Sequence, residues 1–351
     1  MGSLSSPLLL LVFATGAAAT WVAGLYLSKT TDALDDRLHL GDALGGMILL
    51  AIAGSLPEVA ITVTGALQGH LDIVAGNLIG GIAMQTAVLV ICDLVVQGDH
   101  PLSSLVGSLM PVLEAVLVVS VVSLVLMGAL LPDSVAAAGV SPVSVLIVLV
   151  WLMGMLVLNR VRTSPRWKVE APGSCPGRPH RRVPHPTAPR PFAGASTRRV
   201  ALVFALGSLV TLIAGAALEI SGSELATRYH VSGVVFGATV LALASALPEI
   251  STGVAAIRLG DNELVMGDIF GGNAFQVCLF LLADLIAGQP VLPFAGAANS
   301  WLGGLGIVLT TIYATAVVVR PQRRFARLGP DSIAVLVFFA LGLAGLAVIA
   351  E

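Results

Sequence analysis

Apolar stretches of 18 residues or more recur along the whole chain, separated by short polar turns. Runs of that length match the roughly 20 residues a helix needs to cross a bilayer. The pattern predicts ten spans, at about 6–27, 41–67, 71–96, 102–131, 141–160, 200–220, 231–257, 264–287, 299–319 and 332–350. One interval breaks the rhythm. Residues 161–199 have no apolar periodicity, are rich in Pro and Arg, and contain a single acid, Glu170. They read as a disordered basic linker between a first half, 1–160, and a second half, 200–351. The expected fold class is therefore an all-α polytopic membrane protein of ten helices, five in each half.

Two of the spans are interrupted in the same way. "ILLAIAGSLPEVAITVTGAL" (48–67) and "TVLALASALPEISTGVAAIR" (239–258) each place a proline and a glutamate near the middle, Pro57-Glu58 and Pro248-Glu249. A proline has no N–H, so the carbonyls of Ala53 and Ala244 lose their helical partners. A carboxylate at the centre of a span costs about 3 kcal/mol on insertion scales. The duplication extends further: residues 50–94 align with 241–285 at a constant offset of 191, and 16 of the 45 positions are identical. The shared set includes Gly76 with Gly267, Gly80-Gly81 with Gly271-Gly272, Gln85 with Gln276, and Asp93 with Asp284. With five spans per half, the second copy enters the membrane from the opposite side. The chain thus reads as an inverted-topology repeat, an architecture of alternating-access transporters with a site near the midplane on broken helices.

Composition supports a membrane protein, with 56% hydrophobic and only 11% charged residues against about 25% charged in soluble domains. The amino-terminal apolar stretch lacks a basic flank and reads as a first span rather than a signal peptide. With the linker in the cytoplasm, 17 of the 18 Lys and Arg residues fall inside and only Arg228 outside, as the positive-inside rule favours. Both termini are then external. The arginine-rich, Ala/Gly/Val-rich composition suggests a bacterial inner membrane. Cys92, Cys175 and Cys278 form no disulfide or metal framework. No HExxH or nucleophile motif is present, so enzymatic chemistry is not expected. No cofactor and no nucleic-acid partner are indicated; the expected partners are the lipid bilayer and inorganic cations.

The candidate chemistry sits at the two breaks. Unpaired carbonyls at membrane depth are tolerated only where water, protein or a cation meets them. Two inverted copies facing each other bring Glu58 and Glu249 to one site. Two carboxylates with carbonyl oxygens suit a hard divalent cation such as Ca²⁺. Burial disfavours the charged form of a carboxyl group, so the same pair suits proton exchange. Gly76-xxx-Gly80 and Gly267-xxx-Gly271 allow close helix approach. Gln85 and Gln276 either present amide oxygens to the site or bond between helices. Asp268 and Glu114 are further acids at membrane depth; each is read either as a proton carrier or as a structural group. Asp93 and Asp284 read as interface or capping residues, and His70 and His100 as solvated residues of external turns.

The segments "GSLPE…GNLIGGIAMQ" and "SALPE…GDIFGGNAFQ" resemble the α-repeats of the Ca²⁺/cation antiporter superfamily, which holds the sodium/calcium and calcium/proton exchangers. The resemblance implies Glu58 and Glu249 as the transported Ca²⁺ ligands, Ser55 and Ser245 as the surviving hydroxyls, and the carbonyls of Ala51 and Ala242 as backbone ligands. It places Asn77 and Asp268 at the first asparagine of the glycine-rich motif, and Gln85 and Gln276 at the last. Hydroxyls used for sodium in the family are replaced by Gly54, Ala246, Gly81 and Gly272. The expectation is Ca²⁺ export in exchange for H⁺, with Na⁺/Ca²⁺ exchange or another cation/H⁺ antiport as the alternative on this fold, and a passive cation channel as the alternative of another class.

Overall fold

The structure, a computed structural model, describes residues 4–38, 52–163, 192 and 194–350. The helices are α1 (Ser6–Leu38), α2 (Leu56–Gln68), α3 (Leu71–Val95), α4 (Met110–Gly128), α5 (Pro142–Thr163) and α6 (Thr197–Arg228). They continue as a broken α7, with arms α7a (Gly233–Ser245) and α7b (Leu247–Leu259), and a two-part α8, α8a (Asn262–Gln276) and α8b (Leu279–Ala287). The last two are α9 (Gly296–Val319) and α10 (Pro330–Ala350). Eight of these spans are long and apolar enough to cross a membrane unaided, and α7, bent by 41°, makes a ninth. The tenth predicted span is represented by residues 52–68; its first half, with Ala51, lies outside the described residues, as do 164–191 and 193 of the linker.

The predicted spans recur with three differences. Helices α1 and α6 run past their predicted ends to Leu38 and Arg228, because a helix continues through polar residues beyond the hydrocarbon. The span predicted at 102–131 opens as a short helix, Leu102–Leu105, and restarts at Met110 with Pro111 in its first turn, a position where the missing N–H costs nothing. The span predicted at 264–287 is interrupted just after Gln276, whereas its counterpart α3 is continuous.

The repeat is visible residue by residue. Helices α2 and α7b are 13 residues each, offset by 191, and both end on a left-handed glycine, Gly69 at φ 77° and Gly260 at φ 79°. That backbone conformation favours glycine. Asp93 accepts from the backbone of Leu102 and Gly329 and from the Ser332 hydroxyl. Its counterpart Asp284 accepts from the backbone of Ser141 and Val291. Ser332 and Ser141 are themselves 191 apart, so the two acids tie equivalent turns together at opposite ends of the molecule, as their reading as interface residues required.

Contacts between the halves are reciprocal. A Cβ at Gly16 of α1 would lie 3.2 Å from Leu218, and one at Gly207 of α6 3.3 Å from Leu27. A Cβ at Gly24 would sit 2.5 Å from the Pro248 ring, and one at Gly215 would sit 2.9 Å from the Pro57 carbonyl and 2.7 Å from Ala60 Cβ. All four pairs are related by the same 191-residue offset. Each proline break therefore rests on a glycine from the opposite half, and α1 and α6 cross as an antiparallel pair about a pseudo-two-fold axis. The Asn273 amide reaches the carbonyl of Ile82, its own counterpart, which places both at that axis.

The linker side is set by contacts. Arg37 at the end of α1 bonds the Phe192 carbonyl and Thr197, while Arg228 at the far end of α6 bonds Ser6. The start of α1 lies opposite the linker, and α10, which begins on the linker side beside Pro101, ends there too. Gly215→Val should cost about 1–3 kcal/mol through overpacking against fixed backbone. The melting temperature of the detergent-purified variant is expected to fall, while Gly304→Val, with no described neighbour within 4 Å, should leave it unchanged.

Candidate cation-binding site

The two breaks meet in the middle of the bundle. In α2 the chain turns at Ser55 (φ −94°, ψ 19°) and in α7 at Ala246 (φ −83°, ψ 1°), outside ideal helical values. Arm α7a approaches the break through a π-helical turn, Gly237–Leu241, a distortion common at functional sites. Glu58 and Glu249 follow at once, each three residues past its turn. Glu58 is fully buried; the Gln85 amide lies 3.2 Å from its Oε1. Glu58 Oε2 and Glu249 Oε2 are both buried with no hydrogen-bond partner among the described residues. An unpaired buried carboxylate oxygen is costly unless a proton or a cation meets it.

A cavity of about 50 Å³ is lined by Glu249 and, beside the buried Glu58, by Pro57 and Gln85. Its walls include Gly54, Ser55, Gln85, Glu249, Thr252 and Asp268. Asp268 is held 3.4 Å from the Thr252 hydroxyl. A volume of this size admits one or a few water molecules or a partly hydrated cation. Helices α1 and α6 complete the wall with Gly24, Leu27, Thr31 and Thr211.

The cavity is one-sided. Along α1, α2, α7b and α8a, its wall residues lie toward the linker side of the carboxylates. On the opposite side the backbones close up. A Cβ at Gly76 would lie 2.6 Å from the Val234 carbonyl, one at Gly80 2.4 Å from Ala238, and one at Gly237 2.5 Å from the Ile73 carbonyl. The glycines expected to allow close packing do so here. For Gly271 and Gly272 no described atom comes within 4 Å; the segment equivalent to Val234–Ala238, residues 43–47, lies outside the described residues.

The remaining expected site residues divide along this line. Asn77, fully buried with neither side-chain polar atom bonded, is off the cavity on the closed side. Gln276 does not reach the cavity: its amide donates to the Asn77 and Leu78 carbonyls at 3.2 and 3.1 Å. It fills the space that a side chain at Gly81 would need, 2.3 Å from its Nε2. Ser245 is buried and donates to the Ala242 carbonyl at 3.2 Å, which the Ala246 N–H occupies as well. The Ala242 carbonyl is therefore spent within the chain. Glu114 lies against Gly267, 3.3 Å from where a Cβ would stand, with Oε2 unbonded.

Two residues correct the sequence reading. His70 is not simply solvated: its Nδ1 lies 2.7 Å from Oε1 of Glu219, an otherwise buried acid of α6. Glu219 within an apolar span was the signal, and it was not taken up. His100 belongs to the linker side, because Arg324 bonds the Val96 and Gly98 carbonyls and fixes that turn to the 320–328 loop. The cavity hydroxyls Thr31, Thr211 and Thr252 were also missed. A threonine in a span gives no sequence signal of its own, since most such hydroxyls bond back to their own helix.

The sodium/calcium exchanger protein family model matches residues 8–167 and 200–349, nearly the whole of both halves. The inner membrane protein YrbG of Escherichia coli K12 is 25% identical over 252 residues, covering 71% of each chain. Among solved structures, the H⁺/Ca²⁺ exchanger CAX superposes with a TM-score of 0.71 at 12% identity, covering 97% of this chain and 85% of the other. The sodium-calcium exchanger NCX_Mj gives 0.61 at 16% identity, covering 97% and 99%. The matched model takes in both repeats and both proline breaks, and the chain belongs to the sodium/calcium exchanger protein family.

Proposed function

We propose that the protein is a secondary active antiporter that exports Ca²⁺ in exchange for H⁺ across a bacterial inner membrane, with the linker in the cytoplasm and both termini outside. The observation that carries this reading is the pair of orphaned, buried oxygens, Glu58 Oε2 and Glu249 Oε2, the second on the wall of a cavity that Pro57 and Gln85 bring up to the first. One Ca²⁺ neutralises both carboxylates; protons taken up by them do the same with the ion gone. The two loads compete for the same oxygens, and a state with neither leaves two repelling charges in a dry interior. That penalty couples the fluxes, because only loaded carriers cross between the two faces cheaply. The present arrangement is the face open toward the linker: wall residues on that side, close backbone contacts on the other. Glu249 and Asp268 meet the entering ion, Gln85 orients Glu58, and Ser55 and Thr252 add hydroxyl oxygens.

A second reading, Na⁺ as the counter-ion, is supported by the four hydroxyls on the wall, Thr31, Thr211, Thr252 and Ser55. The three threonines add oxygen ligands beside Ser55, the hydroxyl that the first repeat motif keeps. Membrane vesicles loaded with Ca²⁺ and carrying the purified protein separate the two. An imposed proton gradient without sodium should drive efflux; efflux that requires sodium instead would establish the second reading, and efflux indifferent to both would make the protein a channel.

Glu58→Gln and Glu249→Gln should each reduce Ca²⁺ exchange in the same vesicles to background, since each removes half the charge that holds the ion. Full transport by either variant would remove the site from these residues. In a background with Cys175 replaced by Ser, Gly54→Cys should react with a polar thiol reagent applied from the linker side. Asn77→Cys should stay protected from both sides in this conformation.

A further inference from the structure

Four arginines crowd the turn between α9 and α10, "RPQRRFARLG", at Arg320, Arg323, Arg324 and Arg327. The turn is closed by a single bridge between Phe325 and Leu328. The equivalent turn between α4 and α5 on the opposite side closes with the same kind of bridge, Ala137 to Val140, and contains no basic residue. The fold does not need the arginines to make this turn. Topology is served by positive charge anywhere on the linker side and does not require a shaped site.

Here a site is shaped. The turn and the end of α3 enclose an open basin of about 610 Å³, lined by Gln97, Asp99, Arg323, Arg324, Phe325 and Arg327. Arg324 builds it. Its guanidinium bonds the carbonyls of Asp93, Val96, Gly98 and Arg327, its side chain is only 8% exposed, and its Nε is buried with no partner. The Arg323 and Arg327 side chains make no hydrogen bond or ion pair among the described residues and stand on the wall of the basin. The Arg324 guanidinium is paired with the Asp93 carboxylate at 3.8 Å, so Arg323 and Arg327 against the Asp99 carboxylate leave a charge of +1, suited to a phosphate. Just before the turn, Val318 and Val319 are 60% and 69% exposed, an apolar surface facing lipid where acyl chains can lie. Phe325, also exposed, lines the basin itself.

We propose that this basin binds the phosphate of an anionic phospholipid headgroup in the linker-side leaflet. Arg323 and Arg327 hold the phosphate oxygens, guanidinium groups being suited to them by their planar donor geometry. Arg324 keeps the basin rigid, so little ordering is required on binding. Basic pockets between spans on this side of a membrane commonly take such headgroups. Since α9 packs along α3, α4 and α10, the bound lipid fixes that part of the bundle to the leaflet. The proposal is independent of which ions are exchanged.

The test titrates the detergent-purified full chain with short-chain phosphatidylglycerol and, separately, short-chain phosphatidylcholine, reading bound lipid by native mass spectrometry. Phosphatidylglycerol should bind saturably and phosphatidylcholine should not. The double variant Arg323→Gln, Arg327→Gln should bind about 30-fold more weakly. Asp99→Asn should bind about fivefold more tightly; it removes no packing and decides the matter alone if the double variant fails to fold. Arg258→Gln, on the same side but away from the basin, should match the wild type. Equal binding of the two lipids, or unchanged affinity in the folded variants, would overturn the proposal. So would inorganic phosphate competing as well as phosphatidylglycerol does, which would make the basin a free-anion site.

Discussion

The architecture depends on one contact made twice: a proline-broken helix resting on a glycine from the opposite half of the chain. Proline frees backbone oxygen and bends the helix, but a bend at membrane depth is stable only where something packs against it closely. Gly24 lies against Pro248 and Gly215 against Pro57 so closely that neither leaves room for a Cβ. These contacts join α1 to α7 and α6 to α2, crossing the halves over. They hold the two breaks together in the middle of the bundle.

From that frame the site follows. A symmetric arrangement would give both carboxylates equal access, and the molecule departs from symmetry in a specific way. Gln85 turns to its own glutamate, while Gln276 reaches across to the carbonyls of Asn77 and Leu78. Asn77 is shut in and Asp268 lines a cavity. The same residues related by the repeat thus occupy two different environments. In an inverted repeat, exchanging those environments between halves turns a site open to one face into a site open to the other.

The ends of the bundle are fixed by a different chemistry. Asp93 and Asp284 each gather backbone N–H groups from turns that would otherwise be unsatisfied at the membrane boundary. Arg324 does the corresponding work for carbonyls on the linker side. Both ends of the bundle are thus closed by side chains that satisfy turn backbone, and the unpaired oxygens of Glu58 and Glu249 lie at the breaks in the middle.

The spans among the described residues, the inverted repeat and the central place of the two glutamates were legible in the sequence. Each depends on local or periodic information: hydrophobic length, charge asymmetry, and a motif repeated at a fixed interval. Glycine spacing likewise announced close packing. The partners were not legible. That Gly24 meets Pro248 rather than a neighbour on its own half, that Gln276 leaves the site for a backbone carbonyl while Gln85 stays, and that His70 finds Glu219 are consequences of which helix faces which. Threonines of α1 and α6 join the cavity for the same reason. Sequence determined which groups must be satisfied at membrane depth; only the tertiary structure decided by whom, because the satisfying partner of a buried polar group is chosen by helix packing across the two-fold axis and not by its place in the chain.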